Sequence, residues 1–181
     1  EKESLRAQPS ATLSLTPHPT ALGSALTHPH ITTDFCESQV EIVTGVHAGV
    51  SACLDELTQT HQFVYRAIGD ELLWAASMPC GLPPDETIPI GRYGTSNVGR
   101  AKSVYRMGLG HRYGRRMQVI SGIHYNFSLP EAAWPLLRRQ DADADSADAY
   151  RDRRYLALAR TYRRHSLLLL LLLGTAPAVC G

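Results

Sequence analysis

The sequence is poor in several things, and each shortage excludes something. It has four cysteines in 181 residues, at positions 36, 53, 80 and 180. Their spacing is irregular, with no CxxC pair and no zinc-ligand set, so the chain reads as a protein of a reducing, cytoplasmic compartment. No apolar run is long enough to cross a bilayer: the longest, Leu167 to Leu173, is followed by Gly174 and reads as a buried helix end. No signal peptide is expected from the first residues of the sequence. The formal net charge is only +1, far from the strongly basic balance of a protein that coats nucleic acid. No GxxxxGK phosphate loop appears. No convincing Ser–His–Asp or Cys–His constellation is seen. An initiator Met is missing too. The chain starts abruptly on EKESLR and ends on GTAPAVCG, and reads as part of a longer chain.

What remains is an ordinary globular composition, 44% hydrophobic and 19% charged, in a chain long enough for one sizeable core. The most informative stretch is Gln118 to Pro130, QVISGIHYNFSLP. Gln118, Ile120, Gly122, His124, Asn126 and Ser128 alternate with Val119, Ser121, Ile123, Tyr125 and Phe127. Alternation predicts a half-buried strand, with one face for a core and a polar face presented to a cavity.

Glu1 and Glu3 are two apart and share a face on a strand. Residues 7–30 have loop composition, with a short strand at Leu13 to Leu15. Residues 31–44 read as strand, with Glu37, Gln39, Glu41 and Val43 on one face. Two carboxylates there are either functional or the charged guard of an exposed edge. Apolar residues at helical spacing predict a helix over 47–68, ended by Gly69, with His61 as a core histidine. WAASMPC, residues 74–80, has strand character. Cys80 reads as a structural thiol. Residues 95–113 predict a helix capped by Thr95 or Ser96. Gly99, Gly108 and Gly110 weaken it and leave room for a close neighbour or a ligand. The arginines between Arg100 and Arg116 suit carboxylates or phosphates. The acids Asp141, Asp143 and Asp145 lack the glycine and glutamate of a calcium loop and read as a disordered acidic linker. Residues 147–173 predict a long helix capped by Ser146.

Long runs of the chain resemble one family. They are EKESLR, HPTALGSALTH, ITTDFCES, GDELLW, SMPC, RYGTSNVGR, VYRMGLGHRYG and MQVISGIHYNFSLP, with RTYRRHS and GTAPAVC continuing to the end. In this order they resemble bacterial glutamate–cysteine ligase of the proteobacterial type, also called γ-glutamylcysteine synthetase, over its N-terminal third. The resemblance implies an α+β fold, an antiparallel sheet with surrounding helices akin to glutamine synthetase. Residues 1–181 would be the N-terminal part of a single catalytic domain, too short to be active alone. It implies an ATP- and Mg2+-dependent ligation of the glutamate γ-carboxyl to the cysteine amine through a γ-glutamyl phosphate, the first step of glutathione biosynthesis.

The resemblance also implies site residues. The metal set is Glu1, Glu3, Asp34, Glu41 and His124. The cysteine pocket is Phe35, Tyr105, Arg106, Leu109, Gln118 and Ile120. Phosphoryl transfer needs hard cations on oxygen ligands, which the four carboxylates supply. Tyr105 and Leu109 are four apart and can face one site. Gln118 and Ile120 share the polar face of His124. Cys36, where Ala or Ser is expected, is a departure next to Phe35. The rival readings are a related carboxylate–amine ligase with another amine substrate, or a piece with no activity of its own.

Overall fold

In the computed structural model, residues 1–79 and 81–174 are described; Cys80 and Cys180 lie outside them. Residues rich in β-branched and alternating apolar side chains form an antiparallel sheet. Its strands are β1 (Lys2–Ala7), β2 (Ile31–Thr33), β3 (Gln39–Ile42) and β4 (Leu72–Leu73), in the order β2-β3-β1-β4. The helices are α1 (Val50–Ala67), α2 (Asn97–Tyr113), α3 (Arg115–Gln118), α4 (Ala133–Gln140) and α5 (Ala147–Leu173). The described residues fall into two compact units, 1–125 and 126–174. An α+β fold with an antiparallel sheet is what the family resemblance implied.

The register decides which side chains share a face. Lys2 pairs with Ile42, Glu3 with Glu41, Ser4 with Val40 and Leu5 with Gln39. Partners across an antiparallel pair point the same way. One face therefore carries Val40 and Ile42, and α1 packs Val64 and Ile68 on them, with Leu22, Ile31 and Leu73 completing the cluster. Burying each such side chain contributes about 1.5–3 kcal/mol. The other face carries Leu5 at one end, packed with Leu13, Phe35, Cys36, Ile88 and Val119. At its other end it carries Glu3 and Glu41.

Several elements differ from expectation. Residues 118–130 do not form a strand. Gln118 closes α3, and beyond it a short extended piece joins β1 through Ile123 opposite Lys2. Val119 and Ser121 are buried as the alternation requires, but Ile123, Tyr125 and Phe127 are 75%, 78% and 63% exposed. Residues 31–44 break into two strands, because Gln39 N donates to Cys36 O (3.0 Å) and reverses the chain. Leu13 makes only an isolated bridge, with Ala7. β4 precedes the WAASMPC run, of which Trp74 still donates its N–H to Leu5 O at 2.8 Å.

α1 starts at Val50, and Ile68 followed by Gly69 at φ +63° ends it. α2 and α5 fall where periodicity predicts them. Ser96 Oγ accepts from Gly99 N (3.1 Å) and Ser146 Oγ from Ala149 N (3.3 Å). In the second unit the acids are not a disordered linker. Asp143 and Asp145 both pair with Arg153, and Tyr150 donates to Asp141 at 2.6 Å. α4 was not foreseen; its Trp134 is buried edge-on against Tyr155. The leucine run is not a buried helix end: Leu167, Leu168 and Leu170 to Leu173 are all exposed.

Candidate functional site

Glu3 and Glu41 stand opposite each other on β1 and β3. Glu3 is held from two sides, its Oε2 accepting from Gly122 N (2.8 Å) and Gln39 Nε2 (3.2 Å). The extended piece at 122–124 brings in the imidazole. Glu3 N donates to Gly122 O (3.0 Å), His124 N to Glu1 O (2.9 Å), and the Glu1 nitrogen to His124 O (2.9 Å). His124 Nδ1 then lies 3.2 Å from Glu1 Oε2, and its Nε2 lies 3.8 Å from Glu3 Oε1. Asp34 joins from the turn after β2.

The electrostatics show that these groups act on one another. The Glu41 carboxyl is pushed up to about 7, first by burial and then by Asp34, Glu3 and Glu1, with His124 opposing. Burial also raises Glu3, against the hydrogen bond from Gly122, and Asp34 adds to the rise. Asp34 is raised by burial, against the pull of Arg106 and His124. Carboxylates this close disfavour ionising together.

Among the described residues, no group of three or more His, Cys, Asp or Glu is already arranged to hold a metal ion. The donor chemistry nevertheless fits a hard divalent cation. Half-buried carboxylate oxygens accumulate charge that a cation would relieve. Glu1, Glu3, Asp34, Glu41 and His124 are thus brought into mutual range without forming a closed coordination shell.

Beside the carboxylates lies a cavity of about 240 Å³ lined by Asp34, Phe35, Tyr105, Arg106, Leu109 and Gln118. Five of the six residues assigned to a cysteine pocket line it. Ile120 does not; it takes part through its carbonyl, which accepts from Gln39 Nε2 (3.3 Å). Tyr105, Arg106 and Leu109 come from one side of α2, and Gln118 from the end of α3. α3 is fixed there by Asp85, which accepts from Arg115 N and Arg116 N at 2.8 Å each. Asp34 belongs to both the cavity and the carboxylate group. A wider concavity of about 380 Å³ in the second unit is lined by Pro135, Arg138, Arg139, Ala142 and Asp143. Its carboxylate is already paired with Arg153.

Two residues of this site were missed in the sequence. Gln39 is fully buried and ties the parts together: it donates to Glu3 and to Ile120 O, and its Oε1 accepts from Phe35 N (3.3 Å). Its place on the face of Glu41 was the available signal. Tyr93 is buried under Arg106, with its ring centroid 4.5 Å from the guanidinium carbon. A tyrosine in a glycine-bounded run, GRYG, was the signal for it.

A family model described as glutamate-cysteine ligase matches residues 1–181. The chain is 54% identical over 179 residues to the glutamate–cysteine ligase of Pseudomonas putida (strain W619), covering 99% of this chain and 34% of that protein. It is 52% identical over 181 residues to that of Alcanivorax borkumensis, covering 100% of this chain and 34% of that protein. The chain thus spans about a third of the length of the curated relatives it matches. Two solved structures share its fold. One is the glutamate–cysteine ligase of Francisella tularensis in complex with AMP, at TM-score 0.74 and 38% identity, covering 79% of this chain and 29% of that one. The other is a bifunctional glutathione synthetase from Pasteurella multocida, at TM-score 0.88 and 34% identity, covering 98% and 23%.

Proposed function

The chain belongs to the glutamate–cysteine ligase family, and from that premise we propose that the protein joins the γ-carboxyl of glutamate to the amine of cysteine with ATP. The observation that carries the proposal is the adjacency of two different surfaces. A face of Glu1, Glu3, Asp34, Glu41 and His124 meets, at Asp34, a small cavity with an apolar wall and an arginine.

Each surface suits one half of the reaction. Glutamate's γ-carboxylate attacks the terminal phosphorus of ATP and releases ADP. The neutral amine of cysteine then attacks the γ-glutamyl carbonyl, the amide C–N bond forms as the C–O bond to phosphate breaks, and the proton lost by nitrogen leaves with the phosphate. The carboxylate face would hold magnesium, which supplies the positive charge that a polyphosphate needs on transfer. The cavity would hold the amine substrate. Phe35 and Leu109 would flank a small side chain, Arg106 would face its carboxylate, and Tyr105 and Gln118 would close the sides. Catalysis then rests on positioning and charge, without a covalent enzyme intermediate. The AMP bound to the Francisella relative supports a nucleotide substrate. Cys36 and Cys53 are free thiols, in keeping with a reducing cytoplasmic setting. Among the described residues, no helix is long and apolar enough to cross a membrane.

The test is turnover by the full-length protein with glutamate, ATP and magnesium, offering cysteine beside a panel of other small amines. Preference for cysteine by kcat/KM supports the reading. Preference for another amine would keep the carboxylate face and reassign the cavity.

A further inference from the structure

Arg106 is the cation of the cavity, and something must aim it. Its three nitrogens are tied to backbone: Nε donates to Asp34 O, Nη2 to Thr33 O (3.4 Å) and Nη1 to Lys102 O (3.1 Å). The Tyr93 hydroxyl is directed at two of those same acceptors, 2.9 Å from Thr33 O and 3.2 Å from Asp34 O. It also lies 2.9 Å from Thr33 Oγ1. The Tyr93 ring is stacked beneath the guanidinium at 4.5 Å. One buried side chain therefore fixes both the arginine and the carbonyls to which the arginine is bonded.

The surrounding backbone is shaped for this ring. A Cβ on Gly91 would lie 2.8 Å from the Tyr93 hydroxyl and 3.2 Å from Thr33 Oγ1. A Cβ on Gly99 would overlap the Tyr93 carbonyl oxygen, so α2 can approach the 93–94 backbone only at a glycine. The fit of α2 against Tyr93 and the reach of Arg106 from α2 to Asp34 are parts of one arrangement.

We propose that Tyr93 is a positioning residue for recognition of the amine substrate, acting through Arg106 and the Thr33–Asp34 carbonyls. This rests on the reading of the cavity as the cysteine site. Tyr93 itself does not line the cavity. Its ring sets the guanidinium by a cation–π contact, and its hydroxyl sets the turn that carries Asp34 and Phe35. Lys102 also approaches the ring, with Nζ 5.2 Å from the centroid. It does not line the cavity, so its loss from the ring leaves substrate contacts unchanged.

The experiment compares Tyr93→Phe, which keeps the ring, with Tyr93→Leu, which does not, in the full-length protein. Cysteine KM should rise roughly three- to thirtyfold in Tyr93→Leu and by less than half as much in Tyr93→Phe. The KM values for glutamate and ATP should stay within about twofold in both. Equal rises in all three KM values, or an unchanged cysteine KM in Tyr93→Leu, would overturn the proposal. A second readout needs no turnover. In protein labelled with 15N-arginine, the Arg106 Nε–H signal, identified by its loss in Arg106→Lys, should be shifted by the ring in wild type and Tyr93→Phe and unshifted in Tyr93→Leu. An identical signal in all three would show that the ring does not set the guanidinium. A wild-type protein that shifts this signal yet makes no γ-glutamylcysteine would sink the functional reading and leave the arginine–ring arrangement standing.

Discussion

Glu3 of β1 and Glu41 of β3 are direct cross-strand partners, two half-buried carboxylates held against each other by the sheet itself. Like charges placed directly opposite destabilise a sheet, so the pair opposes folding unless something compensates it. The Glu41 carboxyl is pushed up to about 7 from an ordinary value of 4.5, first by burial and then by Asp34, Glu3 and Glu1.

The sign of the resulting pH dependence follows from that direction. Below about pH 4.5 Glu41 is protonated in both the folded and the unfolded chain and contributes nothing. Between 4.5 and 7 the unfolded chain ionises first, so stability falls as pH rises. Above 7 the whole penalty is present. In protein stripped of metal by EDTA, Glu41→Gln should therefore melt higher than wild type at pH 8, and the two should converge towards pH 4.5. Melting curves across this range check it. A variant that melts lower than wild type at pH 8 would remove the repulsive pair from the account.

Tyr105 lines the cavity and is 65% exposed, so its removal separates binding from folding. In the full-length protein Tyr105→Ala should leave the melting temperature nearly unchanged. It should raise cysteine KM roughly ten- to a hundredfold, the loss of a polar contact and packing worth on the order of 1–3 kcal/mol. Glutamate KM should move far less. Equal movement of both would assign Tyr105 a general role.

Two glycines of α2 should respond in opposite senses to alanine. At Gly108 nothing stands within 4 Å of an added Cβ. Gly108→Ala should then stabilise by about 0.5–1 kcal/mol, the ordinary helix preference. At Gly99 the added methyl meets the Tyr93 carbonyl, which is backbone and cannot swing away. Gly99→Ala should destabilise by about 1–3 kcal/mol despite the same preference. Denaturant titration of both variants checks the pair, and stabilisation by Gly99→Ala would contradict the packing of α2 on residues 93–94.

Those two helix positions also show what could be read in the sequence and what could not. A helix over 95–113 capped by Thr95 or Ser96 was legible, and it forms over Asn97–Tyr113 with Ser96 as the cap; its glycines left room for a close neighbour or a ligand. Which glycine had the neighbour depends on a loop that only folding brings there. The long α5 and its cap were legible for the same local reasons. Residues 118–130 were not. Alternation states that a strand would have two faces, but not that a partner strand lies beside it. Here β1 supplies partners only near Ile123. Burial of the leucine run could not be inferred because burial depends on what packs against a helix, and the helix pattern does not contain it. α4 was hidden by Pro135, which a first helical turn tolerates. Acid composition hid the ordered loop at 141–145, whose partner, Arg153, lies further along the chain. The grouping of these candidate residues was legible because they sit on short local units: Glu1 just before β1 and Glu3 on it, Glu41 on β3, Tyr105, Arg106 and Leu109 on α2. Gln39 and Tyr93 serve it from beneath, through contacts that span distant parts of the chain.

The central claim is that the carboxylate face holds the metal that accompanies ATP. Its most direct test is the magnesium dependence of γ-glutamylcysteine formation in the full-length protein, wild type against Glu41→Gln, at saturating glutamate and cysteine. The account predicts that the half-saturating magnesium concentration rises about tenfold or more in the variant, the loss of one hard oxygen ligand, with a lower kcat. Superimposable magnesium curves for the two proteins would contradict it.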